Sequence, residues 1–84
     1  MLTLMYFARL REALGVSSEQ IDLPPGVQDI AGLTAWLRQR GGAWESELAA
    51  GRAYRVAVNQ DMAEGATPLK DGDEVAIFPP VTGG

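Results

Sequence analysis

Proline and glycine pairs cut this chain at Pro24-Pro25-Gly26, Gly41-Gly42 and Pro79-Pro80, so no helix or strand can run through those points and every regular element must be short. The 84 residues so divided show no biased tract and no internal linker, which predicts one compact domain. A domain of this size buries only about 60% of the surface its unfolded chain exposes, leaving little interior for an enclosed catalytic cleft. Function is therefore expected on the surface or at the chain ends.

Between the breaks, hydrophobic periodicity assigns the elements. Leu2 to Phe7 is apolar or β-prone apart from Thr3, and this predicts a central strand covered on both faces. Leu10 and Leu14 are then spaced as in a helix over Ala8 to Leu14, with Gly15 as its C-cap. Ile21 and Leu23 alternate with Gln20 and Asp22 as a half-buried edge strand would. Asp29 is a suitable N-cap for the main helix, whose positions Ile30, Leu33 and Leu37 repeat until Gly41-Gly42. A brief helical turn is expected over Ala43 to Ala50, then a strand at Val56 and Val58 followed by the turn residues Asn59-Gln60-Asp61. The Asp71-Gly72-Asp73 turn leads into a last strand, Glu74 to Phe78. The expected order is strand, helix, strand, helix, strand, strand.

Composition removes most catalytic chemistry. Cysteine and histidine are both absent, which excludes disulfides, thiolate nucleophiles, iron–sulfur ligation and imidazole acid/base work, and takes away the usual zinc ligands. The carboxylates are scattered or in turns, with no spacing that makes a dyad; Asp71 and Asp73 read as turn formers, far short of a calcium loop. Seven Lys plus Arg against eleven Asp plus Glu give a net charge of −4 and no basic run, which opposes nucleic-acid binding. Apolar runs are far shorter than the roughly 20 residues a bilayer span needs, and the first residues lack a signal-peptide plan. No membrane association and a cytoplasmic location are expected.

The informative segment is the end. Pro79-Pro80 removes two backbone donors and holds the chain extended, and Val81-Thr82-Gly83-Gly84 has no charged or bulky side chain. Residues 80–84 can extend by roughly 16 to 18 Å, enough to enter a narrow channel on another protein. Glycine at the tip lets the terminal carboxylate approach a nucleotide phosphate without a Cβ collision. A terminal Gly-Gly alone is a weak signal. Its weight here comes from the linked set of Asp-Gly-Asp turn, short apolar strand, two prolines and small-residue terminus.

The run Leu69 to Gly84, including Phe78-Pro79-Pro80-Val81-Thr82-Gly83-Gly84, resembles the MoaD family of ubiquitin-like proteins, the small sulfur-carrying subunits of molybdopterin synthase. Tyr6-Phe7-Ala8-Arg9-Leu10-Arg11-Glu12 and Val58-Asn59-Gln60 are similar to the same family, which often has an aromatic residue where this chain has Ile77. The resemblance implies an α+β, β-grasp (ubiquitin-like) fold over 1–79, a mixed sheet around one main helix with the first and last strands adjacent, and an extended tail at 80–84. It implies that Gly84 is adenylated by an ATP-using activating enzyme and becomes a thiocarboxylate, the chain itself binding no cofactor and no metal. It further implies that Pro80, Val81, Thr82 and Gly83 are inserted into a larger synthase subunit. There sulfur passes to precursor Z (cyclic pyranopterin monophosphate) to form the molybdopterin dithiolene, in an assembly of two small and two large subunits. The chain would then be a sulfur-donating subunit and not catalytic alone.

Phe7 and Phe78 fall on the strand faces opposite Leu4, Tyr6, Val75 and Ile77. The resemblance makes Phe7, Met62 and Phe78 a partner-binding patch, against ordinary core packing for each. Trp36 and Trp44 read as partly buried packing, and Arg9 and Arg11 as a solvated helix face or a partner's ion-pair donors. The competing functions are sulfur delivery to thiamine or tRNA thiolation, isopeptide attachment to lysines, and a non-covalent ubiquitin-like interaction module whose tail is incidental.

Overall fold

The computed structural model describes residues 1–49, 51 and 53–80. Its elements are β1 (Leu2–Tyr6), α1 (Ala8–Leu14), β2 (Ser18–Ile21), α2 (Ile30–Arg38), α3 (Gly42–Glu47), β3 (Arg55–Val58), β4 (Asp61–Ala63) and β5 (Glu74–Phe78). The strands form one mixed sheet in the order β2-β1-β5-β3-β4. Only β1 and β5 pair in parallel, with Leu4 opposite Val75 and Tyr6 opposite Ile77. Adjacent first and last strands in a sheet packed on one main helix make the β-grasp arrangement.

Alternation decides which face holds the core. Leu2, Leu4 and Tyr6 of β1, Val75 and Ile77 of β5, and Val56 and Val58 of β3 turn to the same side and pack against Leu10, Ile30, Leu33, Leu37 and Leu48. Each such side chain stabilises the fold by roughly 1.5–3 kcal/mol through removal from water. β1 is interior to the sheet, yet the expectation that both its faces are covered is only half right: Thr3 and Met5 are half-buried and Phe7 is exposed. Continuous apolarity in this strand reflects one core face and one open apolar face.

The helices begin and end as local chemistry requires. Gly15 closes α1 in the left-handed region at φ 76°, and Asp29 caps α2 by accepting from Gly32 N at 2.8 Å. α2 stops at Arg38, short of Gly41-Gly42, and α3 follows. The second strand lies two residues earlier than expected, at Ser18–Ile21, and β4 was not foreseen. Asn59 and Gln60 both have positive φ, 50° and 72°, as a two-residue hairpin loop between β3 and β4 demands. Asp73 is buried and accepts from Lys70 N and Asn59 Nδ2, both at 3.0 Å, and these bonds hold its carboxyl below the usual carboxylate range.

A polar brace joins edge strand β2 to the helices. Glu19 lies opposite Leu4 on the core-facing side, where it accepts from Tyr6 Oη at 2.9 Å and from Arg40 Nη1 and Nη2 at 2.9 and 3.1 Å. The Arg40 guanidinium stands 4.5 Å from the Trp44 ring centroid and 5.1 Å from that of Trp36, and Tyr6 meets Trp44 edge to face at 5.3 Å. Trp36 and Trp44 are thus partly buried packing residues, as expected. Arg40 holds the Glu19 carboxyl below its ordinary value, while burial, followed by the bond to Glu19, pushes the Tyr6 phenol up.

Two outcomes follow. Gln60 adopts a left-handed backbone at a cost of roughly 1 kcal/mol or more that glycine escapes, so Gln60→Gly raises stability by about 1 kcal/mol in urea unfolding. Because the folded pKa of Glu19 is depressed, its contribution is present above the unfolded carboxylate value and is lost as pH falls through the folded one. Glu19→Gln is therefore less stable than the parent at pH 7, and the gap in urea midpoint narrows on titration into the acid range below about pH 4.5.

Candidate functional site

Both strands of the parallel pair point the same way, so their C-terminal ends leave the sheet side by side. Phe7 N donates to Ile77 O at 3.2 Å, which carries the pairing one step past Tyr6 and sets Phe7 next to Phe78. At the next residue, Ala8 takes a positive φ of 53° and turns the chain into α1, leaving Phe7 at the corner. Directly after Phe78, Pro79 and Pro80 end the ladder, as two residues without a backbone donor must. The root of the tail and the two phenylalanines therefore occupy one end of the sheet.

The outward face continues the apolar surface. Ladder register places Met5, Ala76, Ala57 and Met62 in one row across β1, β5, β3 and β4. Phe7 is 41% and Met62 60% exposed, whereas Phe78, Met5 and Ala76 are half-buried and Ala57 is buried. At a strand spacing of about 4.8 Å and a rise of about 3.4 Å per residue, Met62 is two strands across and two residues along from Phe78, or about 12 Å away. The resemblance named Phe7, Met62 and Phe78 for this surface, and the ladder adds Met5, Ala57 and Ala76 to the same face. The signal for them was parity, because each lies an even number of residues, or one ladder step, from an outward side chain.

Pro80 is half-buried and lines an open groove of about 600 Å³ together with Thr34 and Arg38 of α2 and Tyr54, Met62 and Glu64. In that groove Arg38 Nη1 donates to Leu48 O at 3.0 Å and Thr34 Oγ1 to Ala31 O at 3.1 Å. Val81, Thr82, Gly83 and Gly84 lie outside the described residues. Among the described residues no cluster of three or more potential metal-ligating side chains occurs, and every buried side-chain nitrogen or oxygen has a hydrogen-bond partner. No helix among them is long and apolar enough to cross a membrane. The described residues thus place an apolar face beside the root of the tail.

Comparison with known proteins matches this geometry. A family model described as the ThiS family matches residues 4–84. The chain is 39% identical over 87 positions to the molybdopterin synthase sulfur carrier subunit of Haemophilus influenzae, covering 100% of each chain. Among solved structures, SAMP1 from Haloferax volcanii superimposes with a TM-score of 0.79 at 27% identity, over 99% of this chain and 98% of that one. A chain from the protein–protein complex of subunits 1 and 2 of molybdopterin-converting factor from Helicobacter pylori gives a TM-score of 0.66 at 27% identity, over 99% and 97% of the two chains.

Proposed function

This chain belongs to the ThiS family, and from that premise we propose that it is the sulfur carrier of a molybdopterin synthase, acting through the carboxylate of Gly84. The observation that carries this reading is a family match that runs to Gly84, in a chain whose parallel β1–β5 pair sets the root of that tail beside an exposed apolar patch. The H. influenzae and H. pylori proteins, by their names, point to molybdopterin synthesis rather than to thiamine or tRNA thiolation.

In this mechanism an activating enzyme aligns the Gly84 carboxylate with the α-phosphate of ATP. Carboxylate oxygen bonds to phosphorus and pyrophosphate leaves, forming the acyl-adenylate. Hydrosulfide, the donor at the oxidation level the product needs, attacks the acyl carbon and AMP departs, leaving the thiocarboxylate. Glycine suits both steps because no Cβ obstructs the approach of the main chain to the nucleotide. Phe7, Met62 and Phe78 dock on the larger synthase subunit, and Pro80, Val81, Thr82 and Gly83 reach into its active site. There the thiocarboxylate sulfur bonds to precursor Z, and water then hydrolyses the acyl–sulfur bond, so that sulfur stays on the pterin precursor and the water oxygen regenerates the Gly84 carboxylate. The chain supplies recognition and a reactive terminus; catalytic groups belong to its two partners.

Deleting Gly84 abolishes complementation in cells lacking the native carrier while leaving the circular dichroism spectrum unchanged. Mass spectrometry of the intact chain incubated with its activating enzyme, ATP and a sulfur donor finds a species heavier by the sulfur-for-oxygen difference, and normal cofactor formation by the truncated chain would refute the reading. Phe7→Ser, at an exposed position, leaves the urea midpoint nearly unchanged and weakens binding to the large subunit by about tenfold or more, as loss of an aromatic anchor does, checked by calorimetric titration.

A further inference from the structure

An activated acyl group reacts with whatever nucleophile reaches it first, and the neutral amine of a lysine would close an amide that no longer accepts sulfur. Of the seven Lys plus Arg in this chain only Lys70 is a lysine. It stands in the turn before β5, where Asp73 N donates to Lys70 O at 3.2 Å and Glu74 faces Thr3 at the start of both parallel strands. The terminal ammonium of Met1 pairs with Asp71 at the same end. From Asp73 to Pro80 an extended chain covers roughly 24 Å, whereas residues 81–84 reach at most about 14 Å beyond Pro80. Lys70, even with its four-carbon stem, is therefore held away from the tip.

Among the described residues, the cations nearer the tail root are all arginines. Arg38 and Arg55 line the groove that Pro80 also lines, and Arg55 is the register partner of Phe78. Arg9 and Arg11 follow Phe7, whose N–H donates to Ile77 O. Glu12, Glu47 and Glu64 share this end, Glu47 against Arg9 and Glu64 in the groove with Arg55, so the surface is of mixed sign. What sets these cations apart is their chemical kind. At pH 7 roughly one lysine in 2,500 is neutral and nucleophilic, and for arginine the neutral fraction is smaller by about 100-fold or more. Carboxylate attack gives an anhydride that is itself still activated, so the glutamates lock nothing.

We propose that arginine in place of lysine at Arg9, Arg11, Arg38 and Arg55 determines the fate of the activated Gly84, reserving its acyl carbon for sulfur by keeping amines away from the tail root. This rests on the carrier reading, since it takes the acyl-adenylate as formed. With a lysine at one of these positions, the amine nitrogen bonds to the acyl carbon, AMP departs and a proton passes to water. The product is a chain closed on itself by an amide, one water lighter than the free acid. A short flexible tether raises the local concentration of such an amine to roughly the millimolar range, so a terminus released before sulfur arrives meets it repeatedly.

Mass spectrometry of the intact chain with its activating enzyme and ATP, first without and then with hydrosulfide, tests it at about pH 8.5, where about one lysine in a hundred is neutral. Arg55→Lys and Arg11→Lys, both at exposed positions, yield the dehydrated species about tenfold or more above the parent and lose thiocarboxylate in proportion. Asp22→Lys places its amine after Ile21, which faces Leu2 at the far end of β1, and behaves as the parent does. Dehydration no greater in the two arginine variants than in the parent or in Asp22→Lys overturns the proposal, and thiocarboxylate formed in that experiment leaves the carrier reading standing. A parent chain that releases no pyrophosphate and gains no sulfur overturns both.

Discussion

Everything in this molecule hangs on the parallel pairing of β1 with β5. Parallel neighbours cannot be joined by a hairpin, so the intervening chain must cross over and return, and here almost the whole polypeptide is that crossover. Its helices consequently have one surface on which to bury Leu10, Leu33 and Leu37, the face bearing Leu4, Tyr6, Val75 and Ile77. The same pairing fixes where the ends emerge. Phe7 and Phe78 leave the sheet together because their strands run in one direction, and an antiparallel pairing would have put them at opposite poles. A contact between residues so distant in sequence also costs more loop entropy than a local one, which places its completion late in folding.

Given that frame, the two sheet faces have different tasks. The inner face is closed by the helices and by the Tyr6–Glu19–Arg40 brace, whose polar atoms satisfy one another and whose guanidinium lies against Trp36 and Trp44. Among the described residues no element covers the outer face, although Phe7 and Met62 gain nothing for the isolated fold by being exposed there. Exposed large apolar side chains grouped on one face mark surfaces that are covered in use. Their position beside the tail root connects packing to the proposed docking.

Much of this was legible in the sequence, and the failures have physical causes. α1, the Asp29 cap of α2 and the Asp71-Gly72-Asp73 entry to β5 were readable because each rests on local chemistry: a left-handed glycine, a side-chain acceptor, a turn. β4 was not, since its three residues Asp61, Met62 and Ala63 show no alternation and Asn59-Gln60 lacks the glycine that usually announces a tight hairpin. β2 was placed late because Glu19, on a core-facing position, breaks the apolar rhythm; only the three-dimensional partners Tyr6 and Arg40 make a carboxylate acceptable there. Met5 and Phe7 looked like a second buried face because hydrophobic periodicity reports which side chains avoid water, without telling a core from an interface. For the site, strand parity gave the outward placement of Phe7 and Phe78, while the patch that joins them to Met62 and the reactive terminus rested on motif and resemblance.

On the carrier reading, recognition and reactivity are separate properties of this chain. A core of this size leaves little interior for an enclosed cleft, and a composition without cysteine or histidine supplies neither thiolate nor imidazole. A main-chain carboxylate needs neither. On the carrier reading it requires only reach, absence of steric bulk and delivery to sites built by other proteins, and the described residues supply an apolar face at the sheet end where the proline pair stands. On the proposed reading the fold governs orientation, and the bonds that form and break are those of the terminal glycine.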